Sequence, residues 1–83
     1  MVAVTIYSRP GCHLCEEMKG VVERTAERTG IDVRIEEIDV SRDAELEARY
    51  GTEIPVLIID GKKAAKYRIP EFELARILRS RSG

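Results

Sequence analysis

The 83 residues suffice for one domain, 1–83, with one modest core, and not for two. Hydrophobic residues make up 43% of the chain, which excludes a disordered polar chain, and no apolar run nears the roughly 20 residues that span a bilayer. A net charge of −1, with three tyrosines, one phenylalanine and no tryptophan, offers neither the field nor the stacking surface that nucleic acid or an acidic membrane requires.

Val2-Ala3-Val4-Thr5-Ile6-Tyr7 is rich in β-branched residues and nearly free of polar ones, which predicts a central strand covered on both faces. Ser8-Arg9-Pro10-Gly11 breaks it with turn chemistry. Leu14, Met18, Val21, Val22 and Thr25 recur at helical spacing, so an amphipathic helix runs from near His13 to about Thr29, with Gly30 just past its end. Ile31, Val33 and Ile35 alternate with charged residues and mark a second strand, whose phase slips before Ile38 and Val40, where it should bend or end. Ser41 is placed to cap a short helix reaching Tyr50 and closed by Gly51.

Pro55-Val56-Leu57-Ile58-Ile59 reads as a third strand, and Asp60-Gly61 as a two-residue type I′ hairpin turn. Lys62 to Tyr67 then returns as an edge strand protected by its lysines. Pro70 suits the first turn of a last helix with Leu74, Ile77 and Leu78 on one face. Arg76, Arg79 and Arg81 read as cations complementing the dipole of that helix rather than as a binding patch. Tyr7, Tyr67 and Phe72 read as packing residues. The order is β-α-β-α-β-β-α, an α/β domain.

Cys12-His13-Leu14-Cys15 carries the chemistry. These are the only cysteines, and they stand between the first strand and the first helix. No basic, apolar and small-residue leader pattern opens the chain, so a cytoplasmic protein is expected, and there a lone C-x-x-C at such a junction reads as a dithiol redox centre. The N–H groups and partial positive charge of a helix start favour thiolate over thiol.

The stretch from Ile6 to Met18, the Glu53-Ile54-Pro55-Val56 segment and the element order resemble the glutaredoxin branch of the thioredoxin fold, above all its small bacterial and archaeal members. The resemblance implies a four-stranded mixed sheet with three helices and a thiol-disulfide oxidoreductase that carries electrons through a reversible Cys12–Cys15 disulfide. It implies Cys12 as the attacking cysteine, exposed near the loop, and Cys15 as the resolving one, covered inside the first turn. It also implies Ile54-Pro55 as a cis pair whose backbone aligns the substrate, although only about 5–6% of X-Pro bonds are cis in folded proteins. Arg9 matches a glutaredoxin lysine near the glutathione carboxylate. Arg9, Ile54, Pro55, Tyr67 and Arg68 are the substrate-binding candidates, and His13 and Arg9 the candidates for tuning the thiolate.

The chain departs from the glutaredoxin pattern in two places. His13-Leu14 replaces the common Pro-Tyr between the cysteines, and Tyr67-Arg68-Ile69-Pro70-Glu71 has no glycine pair where glutaredoxins grip glutathione by its backbone. Close backbone approach needs glycine, so weak coupling to glutathione is expected, and better recycling by a dithiol or reductase partner. No metal and no bound cofactor are expected; glutathione is the candidate co-substrate, a disulfide-bearing protein or small thiol the substrate, and the protein a monomer. Two rival readings stay open: a metal or iron–sulfur module using the same C-x-x-C, and a non-catalytic adaptor whose cysteines merely pack.

Overall fold

Val2, Val4, Ile6 and Ser8 all point to one side of the first strand and all are buried. In a computed structural model, which describes residues 1–82, this strand, β1 (Val2–Ser8), is followed by α1 (His13–Thr29), β2 (Val33–Asp39), α2 (Ala44–Tyr50), β3 (Val56–Ile59), β4 (Lys62–Lys66) and α3 (Glu71–Ser82). A single 3-10 turn at Val40–Arg42 joins β2 to α2. The sheet order is β2-β1-β3-β4, with β2 parallel to β1 and both β3 and β4 antiparallel to their neighbours. This is the expected mixed four-stranded sheet with three helices.

α1 and α3 cover one face of the sheet. Met18 and Val22 from α1 and Leu74 and Leu78 from α3 pack on Val2, Val4, Ile6, Leu57 and Ile59. Each such side chain, once buried, is worth about 1.5–3 kcal/mol. α1 ends as its sequence implies: Gly30 takes φ 71°, and its N–H donates to the Ala26 carbonyl. The other face is not covered along its length, contrary to expectation. Ala3 is exposed, and α2 reaches this face where the Tyr50 ring stacks on Tyr7, with centroids 4.5 Å apart. An α2 of seven residues is too short to cover more.

The strand runs through the first phase slip at Ile38 and ends at the second, at Asp39 just before Val40. It continues beside β1 until Asp39 stands opposite Ser8. Ile35 lies opposite Val4 on the helix-covered face, and Ile38 lies opposite Tyr7 on the α2 face. The apolar residue changes sides because the covering element changes sides. α2 is capped by Asp43, not Ser41: the Asp43 carboxylate accepts the N–H groups of Glu45 (2.9 Å) and Leu46 (3.2 Å). Ser41 instead donates to Asp39.

Asp60 (φ 49°) and Gly61 (φ 83°) form the predicted turn, and β4 ends at Lys66, one residue early, because Tyr67 turns left-handed at φ 68°. Pro70 precedes α3, its carbonyl accepting the Leu74 N–H at 3.1 Å. Phe72 is 76% exposed and Tyr67 42%, so neither is the packing residue its type suggested. None of the described helices is long and apolar enough to cross a membrane.

Candidate functional site

Three loops meet at the end of the sheet where β1 and β2 finish. One runs from Arg9 to Cys12. The second precedes β3; since Val56 pairs with Tyr7, Pro55 comes level with the end of β1. The third follows β4, where the Tyr67 N–H donates to the Pro55 carbonyl at 2.8 Å. The Ile54-Pro55 peptide is cis, as the resemblance implied, and the Pro55 ring is fully buried.

Gly11 (φ 74°) turns the first loop so that Cys12 becomes the N-cap of α1. Its backbone is extended, and its sulfur accepts the Cys15 N–H at 3.1 Å. A cap normally offers oxygen to these orphan donors; here sulfur takes that place. The sulfur thus sits at the start of α1, in contact with one of its first-turn N–H groups. Cys12 and Cys15 are disulfide-bonded, with Cα atoms 5.2 Å apart. Cys15 is only 2% exposed, covered as expected, while Cys12 is half-buried and less open than expected.

A groove of about 280 Å³ runs beside the pair, lined by Ser8, Arg9, Pro10, Gly11, Glu16, Glu37 and Asp39 as well as both cysteines. Asp39 is held below the ordinary carboxylate range, first by the Ser41 hydroxyl donating to it at 2.6 Å, against an opposing desolvation, with smaller help from the Ser41 N–H and the nearby Arg42 and Arg9 charges. Glu37 accepts from the Ser8 hydroxyl at 3.3 Å and lies 3.8 Å from the Lys19 ammonium. Sequence reasoning missed both carboxylates. The signal was present in the β2 phase slip, which turns Glu37 towards α1, and in the parallel register, which brings Asp39 beside Ser8.

The other predicted residues divide. Ile54 and Pro55 share the sheet end with the dithiol loop. Tyr67 follows them, and its hydroxyl donates to the Thr52 carbonyl at 3.1 Å, which ties the third loop to the second. Arg68 is exposed beside it. Arg9 lines the groove, and its guanidinium is engaged elsewhere, with Nη2 at 2.9 Å from Glu47 Oε1 and 2.9 Å from the Gly51 carbonyl. The His13 side chain is 89% exposed, with Nε2 3.2 Å from the Glu17 carboxylate one turn on. Its nearest charged partner is therefore Glu17 rather than a group in the groove.

Comparison with known proteins agrees with this geometry. Residues 3–79 match the family model described as Glutaredoxin-like domain (DUF836). The chain is 31% identical to a glutaredoxin-like protein of Dictyostelium discoideum over 86 aligned positions, covering 94% of this chain and 80% of that one. Among solved structures, a point mutant of thioredoxin from Halobacterium salinarum superposes with a TM-score of 0.68 at 26% identity, over 99% of this chain and 75% of that one. Chloroplastic thioredoxin z superposes with a TM-score of 0.72 at 17% identity, over 96% and 77%. The second of these likenesses speaks for the fold alone.

Proposed function

We propose that this chain, which belongs to the Glutaredoxin-like domain (DUF836) family and has the thioredoxin fold, is a thiol-disulfide oxidoreductase that works through Cys12 and Cys15. The observation that carries the reading is the pairing of a half-buried Cys12, capping α1 with its sulfur, and a Cys15 buried directly behind it. In the reduced protein the Cys12 thiolate attacks one sulfur of a substrate disulfide. A mixed disulfide forms, and the other substrate sulfur leaves as a thiolate. Cys15 loses its proton and attacks the Cys12 sulfur, and the second substrate sulfur departs. Two electrons have passed to the substrate, which ends as two thiols, and the protein holds an internal disulfide. A two-electron thiol donor returns it to the dithiol by the same steps reversed.

Ile54, Pro55, Tyr67 and Arg68 form the substrate side of this reading, with the backbone around Ile54 set to align an extended peptide beside Cys12. A disulfide-bearing protein is the substrate, acted on in a thiol-reducing, cytosolic setting by a monomer. The donor is a dithiol protein or reductase rather than glutathione. Tyr67 takes its left-handed backbone with a full side chain where a glycine turn would admit glutathione closely. Recycling the oxidised protein by each donor, side by side, tests the assignment. Fast recycling by a dithiol donor and slow recycling by glutathione with its reductase is the expected result. Efficient glutathione turnover would overturn the donor, and no reduction of a protein disulfide by either route would overturn the function. Metal bound stoichiometrically in anaerobically purified protein would favour the metal-module reading instead.

A further inference from the structure

Arg9 stands three residues before the attacking cysteine, where a free cation would meet an anionic substrate, yet its hydrogen bonds lead away from the dithiol. Nη2 bridges Glu47 Oε1 and the Gly51 carbonyl, each at 2.9 Å. Both side chains are only partly covered, at 35% and 41% exposure. The second Glu47 oxygen is buried and finds no hydrogen-bond partner among the described residues. A half-exposed ion pair is worth little as an attraction, so what this pair supplies is a fixed geometry between the two segments it joins.

The acceptor carbonyl is equally constrained. The Gly51 N–H closes α2 onto the Glu47 carbonyl at 2.8 Å, and a Cβ at position 51 would run into that same oxygen. Gly51 has ordinary right-handed backbone, so the glycine is there for space and not for its torsion. Three residues later comes Ile54, and the cis proline follows. One guanidinium therefore ties the loop that carries Cys12 to the start of the segment that carries Ile54 and Pro55. The Tyr7–Tyr50 stack, one residue before Gly51, holds the same two elements together from the sheet side.

We infer that Arg9 is a positioning residue, a clamp that sets the Cys12 loop against the Ile54-Pro55 loop through Glu47 and Gly51, and not a ligand for a substrate carboxylate. The inference rests on the dithiol reading above and specifies the substrate side of that site. Arg9 gives its hydrogen bonds to Glu47 and Gly51, and the groove wall beside it carries three carboxylates, of which Glu37 is met by Lys19 and Asp39 by the Arg42 and Arg9 charges, with Glu16 the third. A clamp and a ligand predict different patterns. Loss of a clamp slows every substrate alike, whereas loss of a ligand slows the anionic ones.

The test compares Arg9→Ala, Glu47→Gln and the double variant, using amide hydrogen exchange and the kinetics of three disulfide-linked peptides, one anionic, one neutral and one cationic. Each single variant should speed amide exchange in residues 9–12 and 51–54. Each should also slow all three peptides by a similar factor, about tenfold, because a small misplacement of reacting groups is costly. The double variant should be no worse than either single one, since the two residues act as one unit. Selective loss of the anionic peptide in Arg9→Ala, with Glu47→Gln unaffected, would make Arg9 a substrate ligand and overturn the clamp. So would unchanged amide exchange, or effects that add. If the unaltered protein reacts with no peptide, the dithiol reading fails, while amide exchange still decides the clamp.

Discussion

At Asp60 one carboxylate holds three parts of the chain. It accepts the Ala3 N–H at 3.0 Å and the Arg81 guanidinium at 3.3 Å, while its own backbone turns the hairpin at φ 49°. The Ala3 N–H, opposed by desolvation and joined by Arg81, keeps its pKa below the ordinary 3.8. A folded pKa below the unfolded one means that the stabilisation is complete above about pH 4 and is lost as pH falls through the folded value. Asp60→Asn should therefore lower stability at pH 7 and flatten its fall as pH drops below about 4, as urea unfolding at several pH values would show. An unchanged acid slope would count against this role. The Asp-Gly pair announced the turn, but its partners could not be read from spacing: Ala3 and Arg81 meet Asp60 only once the sheet has formed. The same limit applies around Cys12, where residue types were legible and directions were not. His13 turns to Glu17 and Arg9 to Glu47, while Glu37 and Asp39, distant in sequence, line the groove.

Among the elements, the boundary before α2 shows local chemistry choosing between two adequate caps. Ser41 and Asp43 both precede the helix, and Asp43 wins because Ser41 already serves the 3-10 turn by bonding to Asp39. Asp43→Ala should cost about 1 kcal/mol, the usual worth of an N-cap. Ser41→Ala should cost less, having only an exposed bond to lose. Equal costs in chemical denaturation would return the cap to Ser41. α1, β3 and the hairpin were legible almost to the residue, because periodicity, Gly30 and Asp60-Gly61 agree with one another. β2 was legible in place but not in extent. Its alternation switches face where α2 takes over as cover, and a strand whose two ends face different neighbours has no single period for a sequence to display.

For the whole molecule, the packing of helices on a sheet was foreseeable from the element order, and the lopsided core, with its larger part under α1 and α3, was not. α3 shows the consequence. Leu74 is fully buried against the sheet, while Phe72, the larger apolar side chain, is 76% exposed. Leu74→Ala should cost about 2–5 kcal/mol, a large share of the stability of so small a domain, and Phe72→Ala within about 0.5 kcal/mol. A comparable loss in both would mean that Phe72 is covered in solution. The fold carries the Cys12 loop to the ends of β1 and β2 and buries Cys15 behind it, and the proposed activity depends on that asymmetry. The most direct measurement is mass-spectrometric trapping of a disulfide peptide by the Cys12→Ser and Cys15→Ser proteins. Cys15→Ser should accumulate a mixed disulfide at Cys12, and Cys12→Ser should accumulate none. Trapping at Cys15 alone would invert the two roles, and no adduct at either cysteine would contradict the dithiol account.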